Sequence, residues 1–141
     1  MASSRTVEVR TAQGQVLAAR VRVAQGVLSR FWGLMGRSHI DPEEGLWLKP
    51  CRNVHMLFMR TALDIVYLDR QWRVVRSVPQ MPKWSVQWLP VRGAHSTLEL
   101  APGTLARLGV EAGEQLRIDG EAAPAGSLPG GGAIPLSGSR P

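Results

Sequence analysis

Cysteine is almost missing from this chain. Cys51 stands alone, so no internal disulfide can form. Long apolar runs are missing too; none approaches the roughly 18 residues that a membrane helix needs. The opening Met-Ala-Ser-Ser-Arg-Thr-Val-Glu-Val-Arg has no apolar core, so no secretory signal is expected. Together these absences predict a reducing, cytoplasmic setting with no membrane span. Several catalytic signatures are also lacking: no P-loop, no G-x-S-x-G and no H-E-x-x-H. Gly130-Gly131-Gly132 lies far from any strand-to-helix junction and is no phosphate loop. No internal repeat occurs.

What is present fits one domain with its own core. The 141 residues are 44% hydrophobic and 20% charged, ordinary values for a globular protein. The formal charge is +6, and nearly all basic residues are arginine. Arg5, Arg10, Arg20, Arg22, Arg30 and Arg37 face only Glu8 within residues 1–40. A basic face of that kind could meet nucleic acid. Outward strand positions explain it more simply, so nucleic acid is not the expected partner.

Residues 6–11 and 16–23 alternate apolar with polar, and Ala12-Gln13-Gly14-Gln15 can turn between them; a hairpin is predicted. Residues 26–37 switch to a spacing of three and four, which predicts a short helix. Asp41-Pro42-Glu43-Glu44-Gly45 reads as a turn, and 46–48 as a short strand. Residues 54–59 are apolar at nearly every position, as in a strand covered on both faces. Residues 63–68 and 72–78 flank Asp69-Arg70-Gln71 as a second hairpin. Pro79, Pro82 and Pro90 argue against a central strand over 79–91 and for a long loop or an edge segment. Residues 97–100 read as a strand, 102–109 as one or two helical turns, and 114–118 as a last strand. Residues 120–141 are mostly Gly, Pro, Ala and Ser, so a disordered tail is expected after a domain at 1–119. The expected fold is mostly β: a single-domain sandwich or barrel of about eight short strands with two short helices.

Several motifs in order resemble the prokaryotic domain of unknown function 192 family. They are Arg30-x-x-Gly33-Leu34-Met35, Gly45, Cys51-x-x-x-His55-x-x-x-Met59-Arg60 and residues 63–69. Leu98-Glu99-Leu100 with Gly103, and Gly109-Val110-x-x-Gly113-Glu114, complete the set. The resemblance spans about residues 7–118. Ala62 stands where the family often has proline, Pro102-Gly103 replaces an Ala-Gly or related pair, and Glu114 replaces a more usual Asp. The resemblance implies a mostly-β sandwich or barrel-like fold and brings no activity with it.

The candidate pocket residues are Arg30, Cys51, His55, Met59, Asp64, Trp84, Trp88 and Glu99. Cys51, His55 and Met59 have the order of a copper loop. On a regular strand, however, neighbouring members lie about 13 Å apart, too far for ligand bonds of about 2 Å. A second histidine would have to be His39 or His95, neither suggestively placed. No metal or cofactor is therefore expected. Cys51 with His55 as base meets the same geometric objection. Asp64 and Glu99 are the best acid/base pair if both point inward. Otherwise Asp64 ties down the turn at 61–62, and Glu99 pairs with Arg30 or Arg92. Trp84 and Trp88 are either ligand contacts or a cover over the barrel. The resulting expectation is a small module that binds a ligand or protein. The alternative is a hydrolase using Asp64/Glu99 or Cys51/His55.

Overall fold

The first hairpin forms where alternation places it. β1 (Thr6–Arg10) and β2 (Val16–Ala24) pair antiparallel. Gly14 takes φ +90° in the turn, a conformation that a side chain would resist. The Gln15 amide donates to the Thr11 hydroxyl at 3.1 Å and holds the turn closed. The computed structural model describes residues 5–25, 39–52, 60–85, 89–122 and 124. The expected helix at 26–37 and strand at 54–59 lie outside them.

The remaining described elements are β3 (Glu44–Leu48), β4 (Leu63–Leu68), β5 (Val74–Met81), β6 (Ser96–Leu100), α1 (Thr104–Leu108) and β7 (Arg117–Asp119). The strands form one sheet in the order β5-β4-β6-β3-β2-β1-β7. Among the described strands only β2 and β3 pair in parallel. Of the two forms expected, sandwich or barrel-like, the described strands take the barrel-like one. The sheet curls as a half-barrel. Its two edge strands approach each other just before they begin. Arg73 bridges Gln115. The Leu116 amide donates to the Trp72 carbonyl at 3.1 Å, and Val74 to Glu114 at 2.8 Å. Edge groups that would otherwise stay open are thus satisfied at that corner.

Both faces of the central strands are buried. The face enclosed by the curl carries Val9, Val21, Trp47, Val66, Leu98 and Ile118, with Leu105 from α1. The outer face carries Leu46, Leu48, Ile65 and Tyr67, with Ile40 and Cys51. All six β4 positions and all five of β6 are buried. Two-sided burial is why these strands are apolar at most positions.

Three local expectations shift. Gly45 lies inside β3 rather than closing a turn. A Cβ there would stand 3.0 Å from the Glu99 carbonyl oxygen and 3.3 Å from Val21 Cγ2, so the glycine permits close packing instead. Pro79 lies inside β5, the edge strand, where its missing N–H costs no ladder bond. The pairing slips beside it, between Ile65↔Val78 and Leu63↔Met81, and Gln80 takes φ +48°. The last strand starts at Arg117, because Gln115 is used in the corner bridge.

Candidate functional site

Asp64 is fully buried on the enclosed face of β4. Its Oδ1 accepts the Gln80 amide at 2.7 Å, inside the β5 bulge. Its Oδ2 accepts the Leu105 amide at 2.8 Å, in the first turn of α1. Gly103 caps that helix and offers no side-chain oxygen, so a carboxylate from another strand satisfies the exposed amide. Asp64 therefore joins the bulge to the helix rather than holding the turn at 61–62.

Glu99 does not meet it. Asp64 sits opposite Leu100, while Glu99 sits opposite Ile65 and Leu46. Directly paired residues share a face and neighbours alternate, so the two carboxylates leave opposite faces of the sheet. They cannot share a proton or a cation. Cys51 is buried in the outer-face cluster. Its amide donates to the His95 carbonyl at 2.8 Å, and its carbonyl accepts the Thr97 hydroxyl at 3.0 Å. Trp84 is 57% exposed in a turn at φ +66° and joins neither core. Arg30, His55, Met59 and Trp88 lie outside the described residues. Among the described residues, no three His, Cys, Asp or Glu side chains gather as a metal site. Among them also, no helix is long and apolar enough to cross a membrane.

The fold instead gathers residues that the sequence reading left apart. A cleft of about 300 Å³ is lined by Trp47, Lys49, Arg70, Trp72, His95 and Glu121, among others. Trp47 ends its indole N–H on the Ser96 hydroxyl at 2.9 Å, which fixes the ring. Trp72 meets that ring edge-on, with centroids 6.1 Å apart and an interplanar angle of 81°. The Lys49 ammonium lies 4.3 Å from the Trp47 ring centroid. It also donates to Glu121 Oε2 at 3.0 Å, and Arg5 reaches the same oxygen at 2.6 Å. Burial alone would push the Glu121 carboxyl up. The Lys49 hydrogen bond and charge, with Arg5, outweigh it and hold the carboxyl below its ordinary 4.5.

His95 is placed by its backbone. Its amide donates to the Leu68 carbonyl at 2.7 Å, and its own carbonyl takes the Cys51 amide. Burial, then the positive charges of Arg70 and Lys49, hold the imidazole below its ordinary 6.5. It is therefore neutral at pH 7 and offers one acceptor and one donor. Neither the His95 imidazole nor the Arg70 guanidinium bonds to another described side chain. Asp69 also lines the cleft but is committed elsewhere. Its Oδ1 takes the Gln71 and Arg73 amides at 2.8 and 2.9 Å, shaping the β4–β5 turn. One local signal for the cleft existed: Trp47 and Lys49 are two apart on one strand run and so share a side. Nothing in the residues around His95 marks it.

The fold and its two-sided core define a single-sheet, half-barrel β-domain. The chain belongs to the DUF192 family, described as "Uncharacterized ACR", whose model matches residues 8–118. A UPF0127 protein of Pyrococcus furiosus is 32% identical over 110 residues, covering 74% of this chain and 90% of that one. A UPF0127 protein of Thermococcus gammatolerans is 29% identical, covering 76% and 71%. A protein of unknown function from Novosphingobium aromaticivorans has a similar solved structure. Its TM-score is 0.68 at 26% identity, covering 81% of this chain and 84% of that one. A Sinorhizobium meliloti protein proposed to be a transcription regulator matches at TM-score 0.64 and 26% identity, covering 82% and 94%.

Proposed function

We propose that this chain is a binding module for a small molecule, with its site in the cleft between Trp47, Lys49, Trp72 and His95. One observation carries the reading. Two indoles, an ammonium, a guanidinium and a neutral imidazole converge on one concavity of about 300 Å³. Two aromatic walls set among charged and polar groups can hold a small polar molecule and fix its orientation. The imidazole and the guanidinium bond to no other described side chain, so both are available to a ligand. The hydrolase alternative is weaker. Its Asp64/Glu99 pair is split across the two faces of the sheet, and for Cys51/His55 the histidine lies outside the described residues.

Calorimetric titration of the full chain with benzoate, benzamide and inorganic phosphate tests this. At least one probe binds the wild type, and Trp72→Ala or Lys49→Met weakens it while the protein stays folded. If no probe binds, or if both variants bind as well as the wild type, the cleft is not the site. Duplex DNA is a separate arm, prompted by the proposed role of the Sinorhizobium protein. DNA affinity that falls steeply with salt would replace the small-molecule reading.

A further inference from the structure

The segment after β7 reaches back to the cleft. Gly120 turns at φ +101°, and Glu121, Ala122 and Pro124 follow. Glu121, Ala122 and Pro124 line the cleft beside Lys49 and His95. The Glu121 side chain is only 14% exposed, and the Lys49 side chain 19%. Lys49 and Arg5 converge on one oxygen, Oε2, at 3.0 and 2.6 Å. Among the described residues the other oxygen takes only the Ala122 amide, at 3.2 Å, from the next residue along.

From this arrangement we infer that Glu121 is a resident carboxylate occupying the anion position of the cleft, and that the natural ligand carries a carboxylate that displaces it. This rests on the cleft being the ligand site. Lys49 is largely buried, and Glu121 is the only carboxylate it pairs with among the described residues. A partly buried ammonium is stabilised by an anion beside it. A ligand that takes the place of Glu121 best brings a negative group to the same atom. The His95 imidazole and the Arg70 guanidinium stand in the same cleft, with no side-chain partner among the described residues, to receive the rest of the ligand.

Residues 120–124 read Gly-Glu-Ala-Ala-Pro and contain no large apolar side chain. The Arg5 side chain is 47% exposed, so water screens its share of the contact. Glu121 also lies beyond residues 8–118, the stretch that matches the family model.

If Glu121 holds the Lys49 ammonium in about nine of ten molecules, apparent affinity for a ligand that needs that ammonium is lowered about tenfold. Glu121→Gln removes the competing charge while keeping the shape. Titration of the full chain at pH 7 then shows benzoate binding the variant about tenfold tighter than the wild type. Benzamide, the uncharged probe of the same shape, gains nothing. Adding Lys49→Met to Glu121→Gln abolishes the gain. Equal benzoate affinity in wild type and Glu121→Gln overturns the inference, as does an equal gain for benzamide. Phosphate bound more tightly than benzoate overturns the carboxylate class. If benzamide binds and Trp72→Ala abolishes this, yet benzoate does not favour Glu121→Gln, the cleft survives and the role of Glu121 falls. If no probe binds any of these proteins, both fall.

Discussion

Replacing Asp64 by Asn separates a structural clamp from a reactive carboxylate. Both carboxylate oxygens are used, one on the Gln80 amide and one on the Leu105 amide. Asparagine keeps one acceptor and turns an NH₂ group against the other amide. A donor then faces a donor in a fully buried position. Leaving a buried donor unsatisfied costs about 1–3 kcal/mol. Asp64→Asn loses one such bond and Asp64→Ala both, so the expected losses are about 1–3 and about 2–6 kcal/mol. A domain of this size is stable by only about 5–15 kcal/mol, so the alanine variant gives up a large share of it. Equilibrium unfolding in urea measures this, with the midpoint falling and the slope unchanged. The amides of Gln80 and Leu105 should also exchange with solvent faster in Asp64→Asn, because each closes on this side chain. Asp64 does not line the cleft, so folded Asp64→Asn binds the cleft probes like the wild type. An asparagine variant within about 0.5 kcal/mol of wild type would refute the clamp, since that is the range of ordinary surface changes. So would wild-type stability combined with lost binding.

Gly45→Ala places a Cβ 3.0 Å from the Glu99 carbonyl and from Leu100 Cδ2. The backbone cannot yield cheaply there, and a loss of about 1–3 kcal/mol is expected in thermal melts. His95 contributes a pH dependence. Its folded pKa lies below its ordinary 6.5, so the unfolded chain takes up that proton first as pH falls. This contribution to stability is complete above about pH 6.5, and is lost as pH drops from there to the folded value. Comparing urea midpoints of wild type and His95→Gln from pH 8 to 5 isolates it. A wild-type curve no steeper than the variant's would show that the imidazole is not held neutral.

Local pattern was enough for the parts of the fold made by neighbours in sequence. The hairpin of β1 with β2 follows from alternation around a glycine turn, and that of β4 with β5 from two strand runs flanking Asp69-Arg70-Gln71. The short helix ending at Gly109 follows from its flanking Pro and Gly. The family was legible in motif order, and its model matches residues 8–118. Asp64 was legible as a buried polar group needing an explanation. Its partners were not, because Gln80 and Leu105 lie 16 and 41 residues away.

Registers between distant strands carry no local signal, and they decided the rest. The pairing of β4 with β6 sends Asp64 and Glu99 to opposite faces, although each sits among apolar neighbours in its own strand. The position of β5 at the sheet edge admits Pro79, where the sequence left a long loop or an edge segment open. The cleft draws Trp47 and Lys49 from the end of β3, Trp72 from a turn, His95 from just before β6, and Glu121 from beyond β7. Side-chain periodicity speaks only for the strand that carries it. Which strands lie side by side, and therefore which ends meet, is settled by burying two faces of one curled sheet at once. The sequence by itself determined the strands and their kin; the tertiary structure alone determined that Lys49 and Glu121 would meet.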